Sequence, residues 1–339
     1  FYALFLLCLT GLLGVTITGD AFNVFVFLEI SSLSTYVLIA QGAHRDKRAL
    51  TASYNYLIMG TIGATFFVIG VGFLYMAAGT LNMADLADRI ANQYDSRTVR
   101  AAFAFIMVGM GLKVAIFPLH LWLPNAYTYA PSAITSFLAA TATKVAIYVM
   151  LRFLFSVFQP GFLAEVPTLD LILYPFAILA MFAASYTAIL QRDLKRMLAY
   201  SSIGQVGYML LGIALLSESG LMATMIHLFN HGITKAALFM GVGVYVLNGG
   251  GSFYHNLRGR GKTMPWTSAA MVVAGLSLIG VPGTAGFLSK WLLVEATLEQ
   301  GLWPIALLIV ASSLLAVIYV WKLIETLYLA QPAEGLQNQ

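Results

Sequence analysis

GMGLKVAIFPLHLWLPNAYTYAP, residues 109–131, starts as an apolar helix and cannot finish as one. Lys113 lies inside the apolar run, Pro118 follows five residues later, and His120, Pro124 and Pro131 come after it. A proline inside a helix removes a backbone hydrogen bond and leaves a carbonyl that needs another partner. A charged side chain at the centre of a membrane helix costs roughly 2.5–3.5 kcal/mol on insertion scales. Both penalties in one segment fit a polar path running through protein, and do not fit a helix facing lipid.

The surrounding chain supports a membrane setting. Of 339 residues, 60% are hydrophobic and 9% are charged, with mean hydropathy +0.84. A soluble domain carries about 25% charged residues. The chain is therefore read as an all-α polytopic membrane protein. Apolar runs near the ~20 residues of a spanning helix fall at 1–18, 21–41, 52–77, 101–127, 132–158, 167–190, 198–217, 220–247, 266–296 and 302–329. That predicts ten transmembrane helices and a polar cytoplasmic tail over 331–339. The one cysteine, Cys8, lies in an apolar run, which excludes a disulfide framework or a cysteine-ligated iron–sulfur cluster within these residues. The sequence opens at Phe1 in mid-hydrophobic stretch without a signal-peptide layout, and is read as a fragment of a longer chain.

The net charge is +4, and its distribution is more informative than its sum. Basic residues collect at 44–48, at Arg192, Lys195 and Arg196, and at Arg258, Arg260 and Lys262. The opposite loops hold Asp20, the mixed stretch 85–100, Glu165, Glu218 and Glu299. The basic loops follow even-numbered helices, so the positive-inside rule places them in the cytoplasm. Arg152, near the outer end of the fifth helix, reads as an interfacial side chain. The expected location is the cell inner (plasma) membrane, multi-pass, in contact with the lipid bilayer. No nucleic acid, cofactor or metal is expected as a partner.

Two halves match each other. Helices 1–5 (residues 1–158) and 6–10 (residues 159–330) form two sets, and five helices per set forces the second to insert upside down. The fourth helix of the first set is interrupted at Pro118, that of the second at Gly280-Val-Pro282-Gly-Thr-Ala-Gly286. Paired interrupted helices are the sequence mark of inverted repeats around a transport path. Lys113 precedes its break and Lys290 follows its own, so the copies are not identical.

Five ionisable residues lie deep in apolar runs: Glu29, Lys113, Lys144, Lys235 and Lys290. Isolated in lipid they would cost on the order of 15 kcal/mol together. His227, His231 and Lys235 fall at i, i+4, i+8, on one helix face about 6 Å apart. A carboxylate near an amine favours its charged form, and separating the two releases the proton, which is the basis of a switchable proton carrier. The plainer readings are a structural counter-ion for Glu29, a carbonyl partner for Lys144, and a satisfied core pair for His227 and His231. The histidine spacing also matches a zinc pair, but no glutamate sits between them. Lys322 and Glu325, near the end of the last helix, are expected to reach for the interface or pair with each other.

At these residues the chain resembles the antiporter-like, proton-conducting subunits shared by respiratory complex I, membrane-bound hydrogenases and Mrp-type cation/proton antiporters. The matching stretches are TGDAFNVFVFLE (18–29), GLKVAIFPLHLWLPNAYTYAPS (111–132), HLFNHGITKAALF (227–239) and GVPGTAGFLSKW (280–291). With GTLNMADL (79–86), they look most like the D-type member of the Mrp complex. The resemblance implies two inverted five-helix repeats and a site comprising Glu29, Lys113, Lys144, His227, His231, Lys235 and Lys290. It implies partner membrane subunits, protons and sodium as the transported ions, and no redox centre in this chain. The alternative it implies is a proton-pumping subunit of NADH:quinone oxidoreductase or a related hydrogenase. A scaffold bundle is the third reading, against which the buried charges argue.

Overall fold

The computed structural model describes residues 1–164, 166, 168–249 and 251–331. Glu165 and the expected tail beyond 331 lie outside them. Among the described residues every regular element is helical. In order these are α1 (Tyr2–Ile17), α2 (Ala21–Ala40), α3 (Arg48–Ala78), α4 (Met83–Ile90), α5 (Arg97–Val114), α6 (Trp122–Tyr129), α7 (Ser132–Leu151), α8 (Gln159–Ala164) and α9 (Thr168–Leu179). There follow α10 (Ser185–Leu190), α11 (Leu194–Ala214), α12 (Glu218–Leu247), α13 (Tyr254–Leu257), α14 (Arg260–Thr263), α15 (Pro265–Ile279), α16 (Ala285–Glu299) and α17 (Trp303–Ile324). Wider π turns join α7 to α8 and α9 to α10, and extend α17.

Among the described residues, six helical stretches are long and apolar enough to cross a membrane: Ala21–His44, Arg48–Ala78, Ser132–Ala164, Leu171–Leu190, Leu194–Ala214 and Trp303–Leu329. The two runs expected to be interrupted are each split, into α5 with α6 and α15 with α16.

The chain forms two compact units. One comprises Phe1–Pro131 and Thr141–Ile172, the other Ser132–Ala140 and the described residues from Leu173. In the first unit α3 and α5 pack against each other where glycines remove side chains. A Cβ on Gly109 would meet the Gly63 carbonyl at 2.6 Å, and one on Gly70 would meet Ile106 at the same distance. Small residues let backbones approach where lipid provides no hydrophobic drive. In the second unit α11 is buried on nearly every side and forms the core.

Both breaks end on a left-handed residue, Ala115 (φ 64) and Gly280 (φ 91). Ile116 N donates to Gly111 O (3.0 Å) and Val281 N to Leu276 O (3.1 Å), closing both helices by the same backward bond. The sequence places the first interruption at Pro118, whereas α5 stops at Val114. The reason is steric: proline disfavours helical geometry in the residue before it, so a helix ends ahead of it. The Trp122 indole N–H then donates to Leu112 O (3.0 Å), a carbonyl at the end of α5.

One backbone device occurs in both units. In the first, Asp20 and Asn82 pair as an isolated antiparallel bridge, with Ala21 N to Leu81 O and Met83 N to Gly19 O both 2.8 Å. In the second, Asp193 and Phe253 pair in the same way, through Leu194 N to Ser252 O (2.8 Å) and Tyr254 N to Arg192 O (3.1 Å). Each aspartate also caps the helix it precedes, accepting from Asn23 N (2.8 Å) or Arg196 N (3.1 Å).

Candidate functional site

In the first unit α2 carries Glu29 and α5 carries Lys113 within its last turn. The Lys113 ammonium stands 3.4 Å from the Glu29 carboxylate and donates to Ser32 Oγ at 2.7 Å. Ser32 lies three residues beyond Glu29, on the same face of α2, so one helix presents both acceptors. A cavity of about 40 Å³ adjoins the amine, lined in part by Ser31, Ser32, Thr35, Tyr56 and Lys113. That volume holds about two or three waters, and hydroxyls supply the partners such waters need. Across the cavity wall Tyr56 and Trp122 meet edge to face at 5.1 Å. Lys144, buried on α7, donates to Thr143 Oγ1 (3.3 Å). His120 stacks on Phe117 at 5.0 Å.

In the second unit the polar groups gather around α12. The rings of His227 and His231 lie parallel, with centroids 6.2 Å apart. His227 Nδ1 shares a 2.8 Å hydrogen bond with Ser289 Oγ, and its ring meets that of Tyr208 at 5.8 Å. Lys235, fully buried, donates to Leu198 O (2.8 Å) and to Ser201 Oγ on α11. Lys290 donates to Leu278 O (3.1 Å), Ile279 O (2.9 Å) and Ser313 Oγ (3.2 Å), and sits 4.6 Å from the centre of the Tyr208 ring. Tyr208 is held by hydroxyl contacts to Ser312 (2.6 Å) and Ser313 (3.2 Å).

The structure thus joins Glu29 to Lys113 and assembles His227 and Lys290 around Tyr208, with His231 stacked on His227 and Lys235 one turn beyond His231. The hydroxyls of Ser32, Tyr208, Ser289 and Ser313 complete these contacts, and sequence reasoning misses all four. Their one signal is position, since Ser289 adjoins Lys290 and Ser32 follows Glu29 by one helical turn. Lys322 corrects an expectation. It does not pair with Glu325: its ammonium donates to Ile189 O (3.1 Å) and Gln191 O (2.8 Å), at the end of α10, and lies over the Tyr254 ring at 4.8 Å. The end carbonyls of a helix lack internal partners and carry partial negative charge, so they hold the ammonium that the exposed Glu325 carboxylate was expected to attract.

A family model described as "NADH:quinone oxidoreductase/Mrp antiporter, TM" matches residues 18–316. The chain belongs to the NADH:quinone oxidoreductase/Mrp antiporter family of membrane proteins. Over 329 residues it is 46% identical to the N subunit of NADH-quinone oxidoreductase of Desulforudis audaxviator (strain MP104C), covering 97% of this chain and 65% of the relative. It is 34% identical to the D-type protein of the Na(+)/H(+) antiporter of Alkalihalophilus pseudofirmus, covering 95% of this chain and 64% of the relative. Among solved structures, the Mrp complex from Dietzia sp. DQ12-45-1b matches with TM-score 0.89 and 30% identity, over 97% of this chain and 61% of that one. The chain therefore spans about two thirds of the length of the curated relatives it matches. Within the family it is an all-helical membrane protein with several apolar spans.

Proposed function

We propose that this chain is a proton-translocating membrane subunit of a multisubunit complex. The observation that carries the reading is the Lys113–Glu29 pair, 3.4 Å apart beside a cavity large enough for water. An amine that can exchange a carboxylate and a hydroxyl for water has two proton affinities within a small displacement. Lys113 and Lys144 would carry protons in the first unit. His227, His231, Lys235 and Lys290 would do so in the second.

The ten-helix, two-repeat organisation belongs to the same proposal, with residues 1–158 and 159–330 as inverted copies. The recurring aspartate-capped bridge and the shared left-handed stop support it. The basic loops would face the cytoplasm of a cell inner membrane, and the partners would be other membrane subunits.

The motifs alone put the sodium/proton antiporter first. The 46% identity to an N subunit of the quinone oxidoreductase, against 34% to the D-type antiporter protein, favours a proton-pumping subunit of a redox-driven complex. Electron chemistry would then reside in partner subunits. The antiporter remains the second reading, supported by the TM-score of 0.89 to the Mrp complex. Dye-monitored proton movement in everted vesicles separates the two: NADH-driven acidification selects the redox complex, and sodium-driven alkalinisation without NADH selects the antiporter. In either assay an assembled Lys113→Ala complex loses proton movement. Unchanged movement in that variant refutes the proposal.

A further inference from the structure

We propose that Tyr56 is a positioning residue for Lys113: through the Ser32 hydroxyl it orients the neutral acceptor of the ammonium, and through Trp122 it steadies the backbone that carries the lysine. The inference deepens the proposed function and rests on its reading of Lys113 as a proton carrier.

Ser32 differs from the serines beside it. Ser31 and Ser34 donate to their own helix, to Leu28 O (2.9 Å) and Ile30 O (2.7 Å). Ser32 accepts from the Lys113 ammonium at 2.7 Å, so its own proton is available to another partner. The Tyr56 hydroxyl lies within hydrogen-bonding reach of both Ser32 and Thr35, and all three side chains line the cavity beside the amine. Thr35 in turn meets Cys8 Sγ at 3.2 Å. The result is a file, Lys113–Ser32–Tyr56–Thr35, that runs along α2 away from Glu29. In it Ser32 accepts from the ammonium and gives its proton to Tyr56, and Tyr56 gives its own to Thr35. Hydroxyls aligned in this way polarise one another and favour positive charge on the amine. A neutral amine offers a lone pair, and Ser32 then has to turn its proton back to meet it. Tyr56 is the group that holds Ser32 in the first orientation.

The aromatic ring does a second task. It meets Trp122 edge to face at 5.1 Å, and the Trp122 indole holds Leu112 O at 3.0 Å, one residue before Lys113. One turn beyond Tyr56, on the same face of α3, Gly60 leaves room for the amine: a Cβ there would stand 3.8 Å from Lys113 Nζ. From α3, Tyr56 thus reaches the acceptor of the lysine on α2 and the support of its backbone at the end of α5.

The test is dye-monitored proton movement by the intact complex in vesicles, with Tm measured alongside. Tyr56→Phe keeps the ring on Trp122 and removes the hydroxyl. It should slow proton movement about three- to tenfold, the worth of one hydrogen bond, at an unchanged Tm. Ser32→Ala should slow it to a similar degree, and Ser32→Thr, which keeps a hydroxyl, should restore most of the rate. The two hydroxyls act in series, so Tyr56→Phe combined with Ser32→Ala should be no slower than Ser32→Ala alone. Tyr56→Leu also removes the support of Trp122, and should be slower than Tyr56→Phe with a lower Tm. A Tyr56→Phe rate equal to that of the unmodified protein overturns the proposal. So do losses that multiply in the double variant, which is what two independent structural defects give. Lys113→Ala keeps the two readings apart. If it abolishes movement while Tyr56→Phe does not slow it, the proton carrier stands and the positioning role alone falls; if it leaves movement unchanged, both fall.

Discussion

At the scale of single residues, the charges hidden in this chain are matched to partners of different chemistry. Lys113 has a carboxylate and a hydroxyl; Lys290 has carbonyls, a hydroxyl and a ring. The difference predicts different responses to the same kind of change. Glu29→Gln keeps shape and hydrogen bonding near Lys113 and removes the negative charge. It should leave the complex assembled while lowering proton movement at least tenfold, read as the rate of dye quenching in vesicles. Gly280 is under tighter control, because its φ of 91° is costly for any side chain and a Cβ there would stand 3.0 Å from Lys290 Cδ. Gly280→Ala should destabilise the protein by about 1–2 kcal/mol and displace the lysine, measured as a lower Tm together with slower proton movement. The carboxylate, lysines and histidines of the candidate site were legible in the sequence, because such residues in apolar runs are conspicuous. The hydroxyls that hold them were not, because serine and threonine occur throughout these helices. Many simply donate to their own helix, as Thr10 does to Leu6 O and Ser34 to Ile30 O.

At the scale of elements, the interruptions of α5/α6 and α15/α16 were readable from proline and glycine: the second starts at Gly280, where the sequence puts it, and the first starts three residues ahead of Pro118. Proline marks where a helix cannot continue, and the left-handed residue that ends it lies upstream, at Ala115 in a position that sequence alone gives no reason to choose. The α3–α5 contact depends on bare backbone rather than on complementary side chains. Gly109→Leu would force its side chain into the Gly63 carbonyl and the Phe67 backbone. Overpacking of this kind costs about 1–3 kcal/mol. The expected result is lower thermal stability and a weakened Lys113–Glu29 contact, because α5 carries the lysine. Gly72→Ala, where an added Cβ meets nothing within 4 Å, should leave both unchanged.

At the scale of the whole molecule, cations repeatedly satisfy the carbonyls that helices leave over. Arg89 reaches Ala78 O, Arg152 reaches Thr18 O, Arg260 reaches Asn248 O, and Lys290 and Lys322 do the same at the ends of α15 and α10. Position in the sequence suggests an interfacial role for Arg152; its 2.7 Å bond to Thr18 O, just past α1, is a tertiary contact that local pattern cannot reveal. Arg152→Gln should therefore destabilise the first unit by about 1–3 kcal/mol, detectable as faster proteolysis near residue 18, with rescue by Arg152→Lys.

The paired backbone bridges have a consequence for where the carboxylate lies. Asp20 starts α2 at a point stitched to the chain around Asn82, and Glu29 follows nine residues later. At 1.5 Å per residue that is about 13.5 Å along the helix axis, close to half of a hydrocarbon layer about 30 Å thick. The stitch therefore fixes how far along α2 the acidic group stands from an anchored helix start. The same count from Asp193 lands on Ser202, so the second stitch places an uncharged hydroxyl at that distance along α11.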